Sequence, residues 1–277
     1  MEFTVCGEAI NMKLTMLGTG NAFTTEFYNT CFAITDGDKG FLVDGGGGGT
    51  ILGQLKHGGV DWRTLRHIFL SHKHVDHILG IVYMMRYMCQ KMNEGSYDGE
   101  VFVYGHDEVL DMLRSICEKL LQPKQFAFID DKVHFVVVND GDKKDIYGHE
   151  VTFFDIESHK AKQFGFSMDL GNGEKLTCCG DEPCSPNGEK YAKDAKWLLH
   201  EAFCLYEDRE VQKPYEKAHA TCKEAGELAE RMNVKNLILY HTEDQTYLTR
   251  KERYVKEAKQ YFSGNVFMPD DLETFEL

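Results

Sequence analysis

Four side chains able to hold a metal fall within six residues, in the segment His72-Lys73-His74-Val75-Asp76-His77. The apolar run His67-Ile68-Phe69-Leu70 leads in, and a helix-like stretch from Ile78 to Met92 leads out. Imidazole and carboxylate suit zinc and similar divalent ions, and a catalytic centre needs such donors while keeping a position open for water. In an extended segment His72 and His74 point to one side, because side chains alternate with period two. Asp76 and His77 then open the helix and face a second position. Two metals a few ångströms apart are the natural reading of that pattern.

Further donors are placed by where they fall relative to apolar runs. His159 closes VTFFDIESH just before FGFSMDL, which predicts a rim position between two strands. His149 is the competing histidine, but it follows the turn Tyr147-Gly148 at the other end of the same strand. Asp181 follows LTCCG and precedes Glu182-Pro183, at a strand end. His241 closes NLILYH, the most strand-like run near the C-terminus. Cys178, Cys179 and Cys184 flank Asp181 and are read as small residues packed beside a site. His67, His106, His134 and His200 are read as structural.

The elements that must position these residues alternate along the chain. The five glycines at 45–49 read as a turn leading into a helix at 50–57. A strand is predicted near 67–71, a helix near 77–92, a strand near 100–104 and a helix near 106–121. Strands follow near 133–138, 150–157, 164–170, 175–180 and 197–203. A helix near 220–232, a strand at 236–241, a helix at 248–262 and a strand near 265–268 complete the pattern. Two strand-rich halves, each closed by helices, predict an α/β fold of the four-layered αββα kind. No internal boundary is evident, so residues 1–277 are expected to form one domain. Residues 1–11 are either an N-terminal extension or precede a natural start at Met12.

The string HKHVDH has the form HxHxDH, and an ordered series accompanies it: MKLTMLGTGNAF, CFAITDGDKGFLVDGGGGG, GDEPC, LLHEAF and HATCKEAGELAERMNVKNLILYHTED. Together they resemble the metallo-β-lactamase superfamily, and within it the ribonuclease Z and phosphodiesterase branch. The resemblance covers nearly the whole chain from Met12 onward. It implies one metal held by His72, His74 and His159, a second held by Asp76, His77 and His241, and Asp181 bridging both. Zinc is the expected ion, with manganese or iron compatible with the same donors. Paired metals would lower the pKa of a bridging water and make hydroxide available at neutral pH. His219, in HAT, looks like the histidine of the ribonuclease Z HST motif, and Glu201, in HEAF, looks like its orienting carboxylate. Asp76, His219 and Glu201 are therefore the candidate catalytic residues. A carboxylate beside an imidazole fixes its tautomer and raises its pKa, which suits a general acid.

The departures from that branch bear on substrate. Ribonuclease Z enzymes carry a long arm that grips the tRNA body between the counterparts of His159 and Asp181. Here that span holds only enough residues for two strands and a turn. The net charge of −14 also argues against gripping a long phosphate backbone, although Lys160 and Lys162 lie beside His159. A small anionic phosphodiester, of the kind opened by relatives that act on cyclic phosphates, is the expected substrate. The zinc-binding cysteine insert of some of those relatives is not evident. A metal-dependent hydrolase of carbon esters, thioesters, lactones or β-lactams, and a non-catalytic metal-binding protein, are the alternatives. Length and an apolar fraction of 42% support a sizeable core. Nine cysteines without CxxC spacing fit a reducing cytoplasm, and the acidic start is not a secretory signal. No membrane partner is expected, and a homodimer is, because relatives are often dimers.

Overall fold

A computed structural model describes residues 12–277; the N-terminal extension expected at 1–11 lies outside the described residues. The first half contributes strands β1 (Met12–Gly18), β2 (Cys31–Asp36), β3 (Lys39–Val43), β4 (Leu65–Phe69), β5 (Val101–Gly105) and β6 (Val133–Val137). Its helices are α1 (Ile51–His57), α2 (Val75–Asn93), α3 (Asp107–Leu120) and the short α4 (Pro123–Phe126). The second half contributes β7 (Lys143–Ile146), β8 (His149–Asp155), β9 (Phe164–Gly171), β10 (Glu174–Cys178), β11 (Trp197–Glu201), β12 (Asn236–Tyr240) and β13 (Asn265–Phe267). Its helices are α5 (Pro186–Ala192), α6 (Arg209–Gln212), α7 (Cys222–Arg231) and α8 (Arg250–Ala258). A last strand, β14 (Thr274–Glu276), returns to the edge of the first sheet.

The strands form two seven-stranded sheets, ordered β14-β1-β2-β3-β4-β5-β6 and β13-β12-β11-β10-β9-β8-β7. The pattern of NLILY shows how they stack. Ile238 and Tyr240 point into the core between the sheets, with Phe32, Phe69, Phe153 and Phe166. Leu237 and Leu239 point the other way, into a core shared with Leu228, Tyr254 and Phe262 of the outer helical layer. A strand buried on both faces reads as an unbroken apolar run, with period-two alternation hidden in which core each residue enters. The first sheet repeats the arrangement. Ile68 and Val103 face the core under α1, α2 and α3, and Phe69 and Tyr104 face the core between the sheets. The result is the αββα sandwich that the sequence predicts.

The glycine turn does more than lead into α1. The amide of Gly45 donates to the His77 carbonyl (3.0 Å), and the amide of Gly80 donates to the Gly46 carbonyl (2.8 Å). A Cβ on Gly80 would run into the carbonyl of Gly45. The missing side chains let α2 lie directly on the turn, which fixes the depth of its first residues.

Four site-bearing segments leave the carboxyl ends of strands with a parallel neighbour: those after β3, β4, β10 and β12. That edge is where α/β sheets usually place ligands, since the loops converge there. Between His159 and Asp181 lie β9 and β10, joined through Asn172 and Gly173. The unanticipated strands β7 and β14 are short, polar edge strands, and α4 and α5 are brief helices with a proline at N1; none carries a strong periodic signal.

Candidate active site

His72 sits in the extended loop after β4, and His74 is the N-cap of α2. His72 Nε2 and His74 Nδ1 converge to 2.9 Å, and Asp181 Oδ2 stands 3.4 Å from His72 Nε2. Asp76, His77 and His241 form a second group, and Asp181 Oδ2 lies 3.5 Å from His77 Nε2 and 3.6 Å from His241 Nε2. One carboxylate therefore faces both groups. His72, Asp76, His77, Asp181 and His241 are all buried.

Three hydrogen bonds decide which ring nitrogens are free. The Ser71 hydroxyl donates to Asp44 Oδ2 (2.7 Å), so its oxygen is left to accept from His72 Nδ1 (2.9 Å). His77 Nδ1 donates to Asp44 Oδ2 (2.8 Å). The Thr30 hydroxyl donates to the Gly20 carbonyl, and its oxygen accepts from His241 Nδ1, each at 3.0 Å. In all three rings Nδ1 is the donor and Nε2 is turned to the centre. Such partners orient ligating histidines and fix their tautomer. His77 Nε2 is buried without a hydrogen-bond partner.

Charge completes the fit. Burial alone would raise the Asp76 and Asp181 carboxyls, but the surrounding histidines hold both well below the usual carboxylate range. Burial pushes His241 down to about 3, and burial with the neighbouring His72 pushes His74 down to about 4. Burial opposes a charge on His77 too, yet Asp76 and Asp44 raise it well above the ordinary imidazole range. A divalent ion held there would take the place of that proton and leave His77 neutral. Ionised carboxylates and imidazoles with free Nε2 are the donor set that zinc-like ions take.

His159 departs from expectation. Strand β8 ends at Asp155, so His159 lies in the loop beyond the rim; its side chain is exposed and belongs to neither group. His149 is also apart, with Nδ1 against the Asp169 carbonyl. His67, His106, His134 and His200 also stand outside the two groups.

His219 follows a turn in which Ala218 adopts a left-handed conformation, and its ring stacks on Phe203 (4.7 Å, 11°) beside His241. Glu201 Oε2 stands 3.7 Å from its Nδ1, an ion-pair distance. Glu201 is fully buried at the end of β11 and accepts from the amides of Phe203 and Ala220, tying the two loops that frame the ring. Burial would lower the His219 pKa; the Glu201 carboxylate outweighs it and the net shift is upward. A cavity of about 400 Å³ opens over His74, Asp76, Asp181, His219 and His241.

Thr30, Asp44 and Ser71 were not singled out from sequence. Asp44 gives one usable signal: a carboxylate ending the buried strand β3 needs partners. Asp44 and His241 both hold positive φ (56° and 57°). Asp tolerates this conformation, whereas for His it is strained by about 1–3 kcal/mol, a cost that tends to collect at functional sites.

Comparison with known proteins adds what the chain is similar to. The chain is 25% identical over 318 residues to a ribonuclease Z of the archaeon Halorubrum lacusprofundi, covering 97% of this chain and 98% of that one. It superposes on the metallo-β-lactamase fold protein YhfI of Bacillus subtilis with a TM-score of 0.76 at 22% identity, covering 97% and 100% of the two chains. It superposes on the short form of human tRNase Z with a TM-score of 0.71 at 20% identity, covering 95% and 98%. These establish the metallo-β-lactamase fold and the likeness to ribonuclease Z. Residues 12–261 match the family model described as anti-Pycsar protein Apyc1, and the chain belongs to that family.

Proposed function

We propose that this chain is a dinuclear metal-dependent phosphodiesterase that hydrolyses a small anionic phosphodiester. One ion would be held by His72, His74 and Asp181, the other by Asp76, His77 and His241, with Asp181 shared. The observation that carries the reading is the placement of His219, backed by Glu201, beside His241 on the cavity that also reaches His74, Asp76 and Asp181. When bound, the metal pair would supply Lewis acidity for the phosphoryl oxygens and a lowered pKa for water. The protein's own residues do the rest. Asp44, Ser71 and Thr30 hold three imidazoles with Nε2 inward. Glu201 favours the protonated form of His219, and His219, which lines the cavity, gives its Nε2 proton to the leaving oxygen. Phe203 and Phe23 shield the cavity's flank and mouth.

Cavity size supports a small substrate, since about 400 Å³ lies within the usual range for small-molecule sites. The short β9–β10 turn supports the same reading, because it provides no projecting arm for a folded nucleic acid. Among the described residues no helix is long and apolar enough to cross a membrane. Parallel assays with bis-p-nitrophenyl phosphate, cyclic nucleotides, a thioester and nitrocefin test the proposal. Phosphodiester turnover should exceed the others by orders of magnitude. Thioester or β-lactam turnover above phosphodiester turnover would refute it.

A further inference from the structure

Lys160 is a cation that nothing described so far explains. Three lysines line the cavity: Lys73, Lys160 and Lys217. Lys73 is neutralised by Glu108 at 3.4 Å, and Lys162, two residues beyond Lys160, by Asp107 at 2.6 Å. Among the described residues Lys160 has no carboxylate within ion-pair distance. Its Nζ instead stands 3.5 Å from His219 Nε2. The loop that carries it is fastened: Ser158 Oγ donates to Glu182 Oε1 (2.6 Å) and accepts from the Lys160 amide (3.2 Å).

Lys160 Nζ and His219 Nε2 stand side by side at the cavity, and the Lys160 charge is uncompensated. A phosphodiester bound there would meet both. One of its anionic oxygens can accept from the Lys160 ammonium at the short distance usual for a charge-assisted hydrogen bond, with the leaving oxygen beside His219 Nε2. On the far side of His219 lies Phe203, and Lys217 Nζ rides over the Phe203 ring at 4.6 Å. One flank of the cavity therefore presents Lys160, the Nε2 edge of His219 and Lys217 in sequence.

We propose that Lys160 binds substrate directly: it grasps an anionic oxygen of the phosphodiester next to the leaving oxygen that His219 addresses, and Lys217 draws the anion to the mouth. This rests on the phosphodiesterase reading for the identity of the substrate, but anion binding by Lys160 can be examined without turnover. A lysine ammonium beside the leaving oxygen also compensates charge as the ester bond breaks, so its removal should affect kcat as well as KM.

The test uses full-length Lys160→Met, Lys160→Arg and Lys217→Ala proteins, loaded with zinc and matched for metal content. Binding of inorganic phosphate is measured by calorimetry, and KM and kcat are measured on bis-p-nitrophenyl phosphate. Lys160→Met should weaken phosphate binding and raise KM by about tenfold or more, the scale of one lost charged hydrogen bond. Lys160→Arg should recover part of the loss, because charge is kept while the shape of the donor changes. Lys217→Ala should show the smaller effect. Phosphate affinity and KM within twofold of wild type for Lys160→Met would overturn the proposal, as would a wild-type protein that binds no phosphate. A wild-type protein that binds phosphate through Lys160 but cleaves no phosphodiester would defeat the proposed function and leave the binding role standing.

Discussion

The two halves of the sandwich contribute to the site in different ways. In the first half, His72, His74, Asp76 and His77 come from one loop and the first turn of α2, and a single buried carboxylate, Asp44, organises them. In the second half, Asp181, Glu201, His219 and His241 leave separate elements, and each is held by its own partner. Gln163 donates to Asp181, the amides of Phe203 and Ala220 hold Glu201, and Thr30 holds His241 from across the sandwich. The first half is thus a prebuilt cradle whose parts stand or fall together. The second is an assembly whose members can be removed one at a time, which makes its roles separable by mutation.

The largest effect should come where the halves meet. Asp181→Ala removes the carboxylate that faces both groups, so metal content should fall well below the roughly two ions per chain expected of a dinuclear site, and turnover should be lost. Elemental analysis together with phosphodiester assay checks this; full metal retention would show that the halves bind metal independently of each other.

A change in the cradle should come next. Asp44→Asn keeps the shape and suits the positive φ, but withdraws the charge behind His77 Nδ1. Metal affinity should weaken by about 10- to 100-fold, the usual effect of losing such a partner. Competition against a chromogenic chelator measures it. An unchanged affinity would mean that the cradle's geometry matters and its charge does not.

A smaller and more diagnostic effect belongs to Glu201. His219 is raised above the ordinary imidazole value, so its proton persists to higher pH than that of a free imidazole and is lost as pH rises through that raised value. Activity that depends on this proton should fall on the alkaline side. Glu201→Gln removes the negative charge, lowers the His219 pKa and should move the alkaline limb to lower pH, with metal content unchanged. A limb that stays in place would separate Glu201 from His219.

Legibility in the sequence follows the same division. The first-half donors were readable because they are contiguous and follow a buried strand. Asp181 and His241 were readable because each follows an apolar run, and the strand ends fall there; Glu201 and His219 were read from the resemblance of HEAF and HAT to the ribonuclease Z motifs. His159 was expected at a rim between two strands; β8 stops at Asp155, and the loop that carries His159 toward β9 leaves its side chain exposed and outside both groups. Thr30, Asp44 and Ser71 were missed for another reason. Their role depends on which ring nitrogen they meet across the fold, and no local pattern encodes that. The edge strands β7 and β14 were hidden because KKDI and TFE gain their partners only through tertiary pairing.

The most direct measurement compares two leaving groups in one variant. His219→Ala should keep its metals, since His219 belongs to neither donor group. On a phosphodiester with an alkoxide leaving group, such as a ribose hydroxyl, the rate should fall by about 10²- to 10⁴-fold, the range for a lost general acid. On bis-p-nitrophenyl phosphate, whose leaving group needs little protonation, the loss should be much smaller. Equal losses on both substrates, with metals retained, would contradict the assignment of His219 as the acid.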